Sequence, residues 1–244
     1  MLRRAVLLGG VATLAAPALL RAAQQVRPAQ SLDGPRLAPA RTPAGWLVVL
    51  CHGSGGDGPN MFDLAPALQA YLPTAAFVSP TGPYPREDSG YRWFPGAVAG
   101  DPIGMVMRGM REAGPVFDTF LGAELARNKL TPDRLVLLGF SQGSMMVLNS
   151  GLRRTPLPAG IIAFAGLQLA TEGLPKFSGA PPVLLIQGAL DGNPARVQAT
   201  ADILKTAGVP VQSHVLPGLG HAIDERGIRL AGEFLRGIAR EKAG

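Results

Sequence analysis

With a single cysteine, Cys51, among 244 residues, the chain can form no intramolecular disulfide. A chain of this length does not need one, because a single domain of its size buries about 70% of its unfolded surface. Cys51 closes the apolar run Leu47-Val48-Val49-Leu50-Cys51 and reads as a small buried hydrophobe. Charge is also scarce, at 16% of residues, and aromatic residues make up 6%. The net charge of +6 is spread along the chain, with no basic stripe interleaved with aromatics, so nucleic acid is not an expected partner. No group of His, Cys, Asp and Glu has metal-ligand spacing, and no metal site is expected. Only three histidines are present, which leaves few candidates for a general base. No internal repeat or second domain is evident.

Long apolar stretches are also missing, with one exception at the start. Arg3-Arg4 precede the apolar run Ala5 to Leu20, and Arg21-Ala22-Ala23-Gln24 follow it. A charged start, about 15 apolar or small residues and an alanine-rich exit form an export-signal pattern over residues 1–23. The paired arginines resemble a twin-arginine signal. A membrane span needs about 20 residues, and Gly9-Gly10 and Pro17 interrupt this run, so no stable span is expected after processing. The chain is therefore expected to be exported, to a periplasmic or extracellular location. Residues 24–45, rich in Pro, Ala and Arg, read as a linker or an edge strand.

From Trp46 onward short aliphatic runs alternate with helical patterns. Strands are expected at Trp46–Cys51, Ala75–Val78, Arg134–Gly139, Gly160–Phe164, Pro182–Gln187 and Val211–Leu216. Helices are expected at Met61–Tyr71, Gly109–Arg127, Gln142–Arg153, Pro194–Ala207 and Glu225–Arg240. Continuous aliphatic strands separated by helices indicate an α/β domain over residues 46–244, with a mostly parallel sheet covered on both faces. Ligands bind such sheets at the carboxyl ends of the strands.

One motif there carries chemistry. Leu135-Val136-Leu137-Leu138-Gly139-Phe140-Ser141-Gln142-Gly143 places a Gly-x-Ser-x-Gly pentad between a strand and a helix. This is the nucleophile elbow of the α/β-hydrolase fold, a turn so tight that side chains at 139 and 143 would collide with their neighbours. Ser141 is the candidate nucleophile. The base is expected to be His221, in the loop Pro217-Gly218-Leu219-Gly220-His221 after the last strand; His214 lies within that strand and His52 on a different element. Asp191, just past the penultimate strand, is the candidate for orienting the base, giving the chain order Ser, Asp, His that this fold requires. Asp224 is nearer to His221 in sequence but is expected to cap the last helix.

The oxyanion hole is expected from the backbone N–H groups of Ser54 and Gln142. The loop bearing Ser54, Gly53-Ser54-Gly55-Gly56-Asp57-Gly58, also matches a dinucleotide fingerprint. That reading requires an acidic residue at the end of the next strand, where this chain has Ser79-Pro80. In the long loop Pro80–Gly100, Trp93 and Phe94 are candidate substrate-binding residues that either line an acyl pocket or pin the loop to the core.

Together, Leu50-Cys51-His52-Gly53-x-Gly55-Gly56-Asp57, Trp93-Phe94, Gly139-Phe140-Ser141-Gln142-Gly143, Gln187-Gly188-x-x-Asp191 and Gly218-x-Gly220-His221 resemble the phospholipase/carboxylesterase family, which includes the acyl-protein thioesterases. The resemblance spans roughly Trp46 to Arg240. It implies hydrolysis of small-molecule or lipid-like carboxylic esters or thioesters through Ser141, Asp191 and His221, without a cofactor. Three positions depart from the family's usual pattern: Pro95 after the aromatic pair, Asn193-Pro194 after the aspartate, and Ser54 in place of a larger apolar residue. Alternatives from the sequence are a lysophospholipase, a secreted polyester depolymerase, or a non-catalytic binding protein on a hydrolase fold. After Phe164 only Ala165–Pro181 precedes the next strand, too little for a cap domain. An uncapped groove bordered by Ser54–Pro59, Pro80–Gly100 and Leu167–Leu174 is expected to favour short to medium acyl chains. The oligomeric state is not encoded in any feature of the sequence.

Overall fold

Aliphatic runs that leave no polar face form the strands of a mostly parallel sheet. The computed structural model describes residues 31–95, 102–166 and 174–242. The expected export signal, residues 96–100 of the long loop and residues 167–173 of the expected groove border lie outside those residues.

The elements run β1 (Arg36–Leu37), β2 (Trp46–Cys51), α1 (Gly58–Phe62), α2 (Ala65–Gln69), β3 (Ala75–Val78), β4 (Tyr84–Pro85), β5 (Tyr91–Arg92) and α3 (Pro102–Asn128). They continue with β6 (Leu135–Phe140), α4 (Gln142–Gly151), β7 (Gly160–Phe164), β8 (Val183–Gly188), α5 (Ala195–Thr206), β9 (Val211–Leu216) and α6 (Glu225–Glu241). Among the described residues the main sheet has the order β1-β3-β2-β6-β7-β8-β9. Every pairing in it is parallel except that of β1 with β3. This is the α/β-hydrolase fold expected from the sequence.

Alternation along β2 explains the two faces. Leu47, Val49 and Cys51 join one core cluster with residues of α3, α4 and α5. Trp46, Val48 and Leu50 join the other with α1, α2 and α6. Successive side chains in a strand point to opposite faces, so a strand covered on both must be apolar throughout.

The departures from expectation have local causes. The helix expected at Met61–Tyr71 is two short helices, because Pro66 lies in the first turn of α2 and has no N–H to continue a ladder from α1. The helix expected from Gly109 starts at Pro102, a residue favoured in first turns. Gly109 is instead a packing glycine, since a Cβ there would come within 2.6 Å of the Phe94 side chain. Within residues 24–45, expected as a linker or an edge strand, β1 is an edge strand. Arg36 ties it to α3 by donating to the buried Glu124 at 2.8 Å, which raises the Arg36 pKa further.

All the parallel strands point their carboxyl ends the same way. The chain therefore delivers the loop after β2, the turn after β6, the turn after β8 and the loop after β9 to one edge of the sheet.

Candidate active site

Ser141 follows the central strand β6 and is the N-cap of α4, with φ 54° and ψ −116°. This left-handed φ is uncommon for a residue with a side chain and costs about 1–3 kcal/mol, so the surroundings must enforce it. They do so through contacts that only glycine permits. A Cβ on Gly139 would meet the Gly143 carbonyl at 2.4 Å, and one on Gly143 would meet the Cys51 carbonyl oxygen at 2.1 Å. The Ser141 N–H donates to the Phe164 carbonyl at 2.8 Å. The buried Ser144 hydroxyl lies 2.6 Å from both the Gly139 and Phe164 carbonyls, locking the turn between β6 and β7.

The three residues assigned from sequence lie in one hydrogen-bonded line. His221 Nε2 is 3.0 Å from Ser141 Oγ, and His221 Nδ1 is 2.8 Å from Asp191 Oδ2. A carboxylate only accepts, so Nδ1 carries the proton and Nε2 is left to accept from the serine hydroxyl. Gly188 lets the two loops meet, because a Cβ there would lie 2.4 Å from the carbonyl oxygens of Leu219 and Gly220. The Phe140 ring sits 4.9 Å from the His221 ring, forming one wall. His221 keeps 49% of its side chain exposed while Asp191 keeps 16%, so the imidazole faces solvent and the carboxylate is covered.

Asp224 is occupied elsewhere. It caps α6 by accepting from the Gly227 N–H at 3.0 Å and pairs with Arg226. The Gly227 bond first, then Arg226, holds its pKa below the usual carboxylate value. His214 lies within β9 and pairs in register with Ile186, away from the serine.

Gln142 directly follows Ser141, and among the described residues neither its backbone N–H nor that of Ser54 has a backbone hydrogen bond in the turns and loops. Gly53, just before Ser54, packs so closely that a Cβ on it would come 3.1 Å from Ser141 Cβ. α4 begins at Gln142, so its positive end faces the same point. Trp93 and Phe94 lie inside the protein. They are 0% and 1% exposed and pack in the core cluster with Met110 and Phe117. An apolar ring beside a strand end is driven inward whether or not a ligand adjoins it, so residue type alone could not separate the two roles.

Three contributors were not singled out from sequence. Gln187 donates through Nε2 to Asp191 Oδ2 at 2.9 Å and to the Asp191 carbonyl at 2.8 Å, fixing the carboxylate from behind. The Gln142 side chain and His52 hold the neighbouring loops. All three belong to the motifs quoted above, so the signal was present without its meaning. A cavity of about 220 Å³ lined by His52, Gly53, Ser54, Gly56, Asn60, Met61 and Phe140 adjoins the proposed hole. A larger one of about 290 Å³, between α3 and the far end of α4, is lined by none of the three array residues.

The sequence profile of the phospholipase/carboxylesterase family matches residues 32–238. The chain belongs to that family. It is 30% identical over 198 residues to the esterase YpfH of Escherichia coli K12, an alignment covering 80% of this chain and 83% of that one. Acyl-protein thioesterase 1 of Neurospora crassa is 38% identical over 98 residues, covering 37% of this chain and 40% of the relative. The crystal structure of esterase PE8 superposes with a TM-score of 0.80 at 37% identity, covering 85% of this chain and 99% of that one. A carboxylesterase from Mesorhizobium loti shares the fold, with a TM-score of 0.71 at 24% identity, over 83% of this chain and 93% of that one. This member of the family is accordingly a carboxylic ester hydrolase of the esterase and thioesterase type, acting on small-molecule esters. The non-catalytic alternative is set aside.

Proposed function

We propose that the enzyme cleaves short- to medium-chain carboxylic esters by nucleophilic catalysis at Ser141. The observation that carries this reading is the line from Ser141 Oγ through the His221 ring to Asp191, at 3.0 and 2.8 Å. In the first half-reaction Ser141 Oγ attacks the ester carbonyl carbon while His221 Nε2 takes the hydroxyl proton. The carbonyl oxygen becomes an oxyanion received by the Ser54 and Gln142 N–H groups. On collapse the carbon–oxygen bond to the alcohol breaks, and His221 returns the proton to the leaving oxygen. A water molecule then attacks the acyl-enzyme, with His221 as base again, releasing the acid and restoring Ser141. Asp191 holds the productive tautomer throughout and stabilises the transient imidazolium.

The half-exposed His221 and the short connection after β7 support an uncapped site. Each further methylene gains about 0.8 kcal/mol only where apolar walls enclose it. The specificity constant for p-nitrophenyl esters, measured from acetate to palmitate, is therefore expected to peak at short to medium chains and to show no jump above the micellar limit. A steady rise to palmitate would contradict the open-groove reading.

We also propose export to the periplasm or beyond, on the strength of Arg3-Arg4 and the apolar run Ala5 to Leu20. Among the described residues no helix is long and apolar enough to cross a membrane. Deleting residues 5–20 is expected to keep the protein inside the cell in a fractionation assay. Unchanged secretion would remove this part of the account.

A further inference from the structure

An oxyanion hole made of two N–H groups works only if both are held at fixed separation before the substrate arrives. Here the two proposed donors come from different elements, Ser54 from the loop after β2 and Gln142 from the start of α4. Beyond accepting Ser141 as nucleophile and these two groups as the hole, we propose that His52, Trp93 and the Gln142 side chain form a buried strut that sets the position of one donor relative to the other.

The first half of the strut acts through a peptide plane. The Gly53 carbonyl lies 2.7 Å from His52 Nδ1 and accepts from the Gly56 N–H at 3.0 Å. A trans peptide is planar, with its C=O and N–H pointing in opposite directions. Anchoring the Gly53 oxygen therefore aims the Ser54 N–H the other way. A Cβ built on Gly53 would come 3.1 Å from Ser141 Cβ, which places this peptide beside the nucleophile. His52 is held in the donating tautomer, because its Nε2 accepts from the Gly82 N–H at 2.8 Å and the proton must sit on Nδ1. Burial pushes the His52 pKa below the ordinary imidazole value, which favours the neutral ring.

Trp93 joins this half to the other. Its indole N–H donates to the His52 carbonyl at 2.8 Å, and its ring lies 5.3 Å from the His52 ring. Its backbone N–H donates to Gln142 Oε1 at 2.7 Å, while Gln142 Nε2 donates to the Phe94 carbonyl at 2.9 Å. One tryptophan is thus bonded at one end to the residue preceding Gly53. At the other it is bonded to the residue that supplies the second donor. His52, Trp93 and Gln142 are 2%, 0% and 8% exposed, so water does not compete for these bonds. These are positioning residues, acting through backbone groups rather than on the substrate.

The test compares hydrolysis of p-nitrophenyl butyrate with that of its thiono analogue, in which sulfur replaces the carbonyl oxygen. Sulfur is the weaker hydrogen-bond acceptor, so the preference for the oxygen ester reports the hole itself. Trp93→Phe keeps an aromatic ring and the backbone N–H but removes the indole donor. The expected result is a loss in kcat of about tenfold, with KM within about threefold and the oxygen-to-sulfur preference falling in step with kcat. An unchanged preference in a cooperatively folded Trp93→Phe protein would overturn the strut. If that variant does not fold, His52→Asn and His52→Gln replace it. An Asn amide offers a donor where Nδ1 stood, whereas a Gln amide offers an acceptor where Nε2 stood. The strut requires His52→Asn to retain the greater oxygen preference, and equal or reversed preferences contradict it. Absence of any oxygen preference in the unmodified enzyme would instead count against Ser54 and Gln142 as the hole.

Discussion

Ser141→Ala is expected to lower kcat for a p-nitrophenyl ester by about 10⁵- to 10⁶-fold while leaving the fold intact. The size of the loss follows from the residue's position. In the proposed mechanism Ser141 gives the acyl carbon its covalent partner, and its Oγ is the atom 3.0 Å from the imidazole. Without it, His221 can activate only water, and the hole and groove contribute the remainder. The fold is expected to survive because the strained turn does not depend on the hydroxyl. It is imposed by the close approach of Gly139 to Gly143 and of Gly143 to Cys51, and by the N–H bond of residue 141 to Phe164. Alanine has the same backbone and a similar cost at φ 54°. Thermal unfolding of the variant should therefore match the parent closely. Retained activity in a folded variant would remove the nucleophile assignment, and with it the acyl-enzyme.

Asp191→Asn is expected to lower kcat by about 10⁴-fold with little change in KM. An asparagine fits the same space, but its amide can present a donor to Nδ1. That favours the tautomer with its proton on Nε2, which cannot accept from Ser141. Gln187 works against this flip, because its Nε2 donates to the same Oδ2 that faces His221 Nδ1 and favours keeping an amide oxygen there, which makes about 10⁴-fold the upper end of the loss. The control is Asp224→Asn. Asp224 caps α6 and pairs with Arg226, so its loss is expected to cost about 1 kcal/mol of stability and leave kcat nearly unchanged. If kcat falls for Asp224→Asn and not for Asp191→Asn, the orienter has been misassigned.

Much of this architecture can be read from residue order. β7 and β9 run over the residues expected from their aliphatic pattern, Gly160–Phe164 and Val211–Leu216. The elbow glycines, the cap at Asp224 and the order of Ser141, Asp191 and His221 follow from steric and chemical needs local to a few residues. What stayed hidden was set by partners distant in sequence. Pro66 divides a helix whose apolar spacing looks continuous. Gly109 resembles a helix boundary but answers to the ring of Phe94, fifteen residues earlier. Trp93 and Phe94 were ambiguous because burial and ligand contact select the same residue types. The His52 ring spans Gly53 and Gly82, a partner thirty residues away that no spacing rule reveals. Gln187 and the Gln142 side chain were visible only as letters of a motif, since amide partners depend on loop geometry.

A fluorophosphonate tests on the enzyme itself whether one serine, Ser141, is the group that attacks the ester. Such a reagent bonds to a serine hydroxyl activated by a neighbouring base and leaves ordinary surface serines unmodified. Intact mass and peptide mapping after treatment of the unmodified enzyme are expected to show a single adduct on Ser141, formed in step with loss of ester hydrolysis, and none in Ser141→Ala. An adduct on another residue, or full inactivation with Ser141 unmodified, would contradict the account.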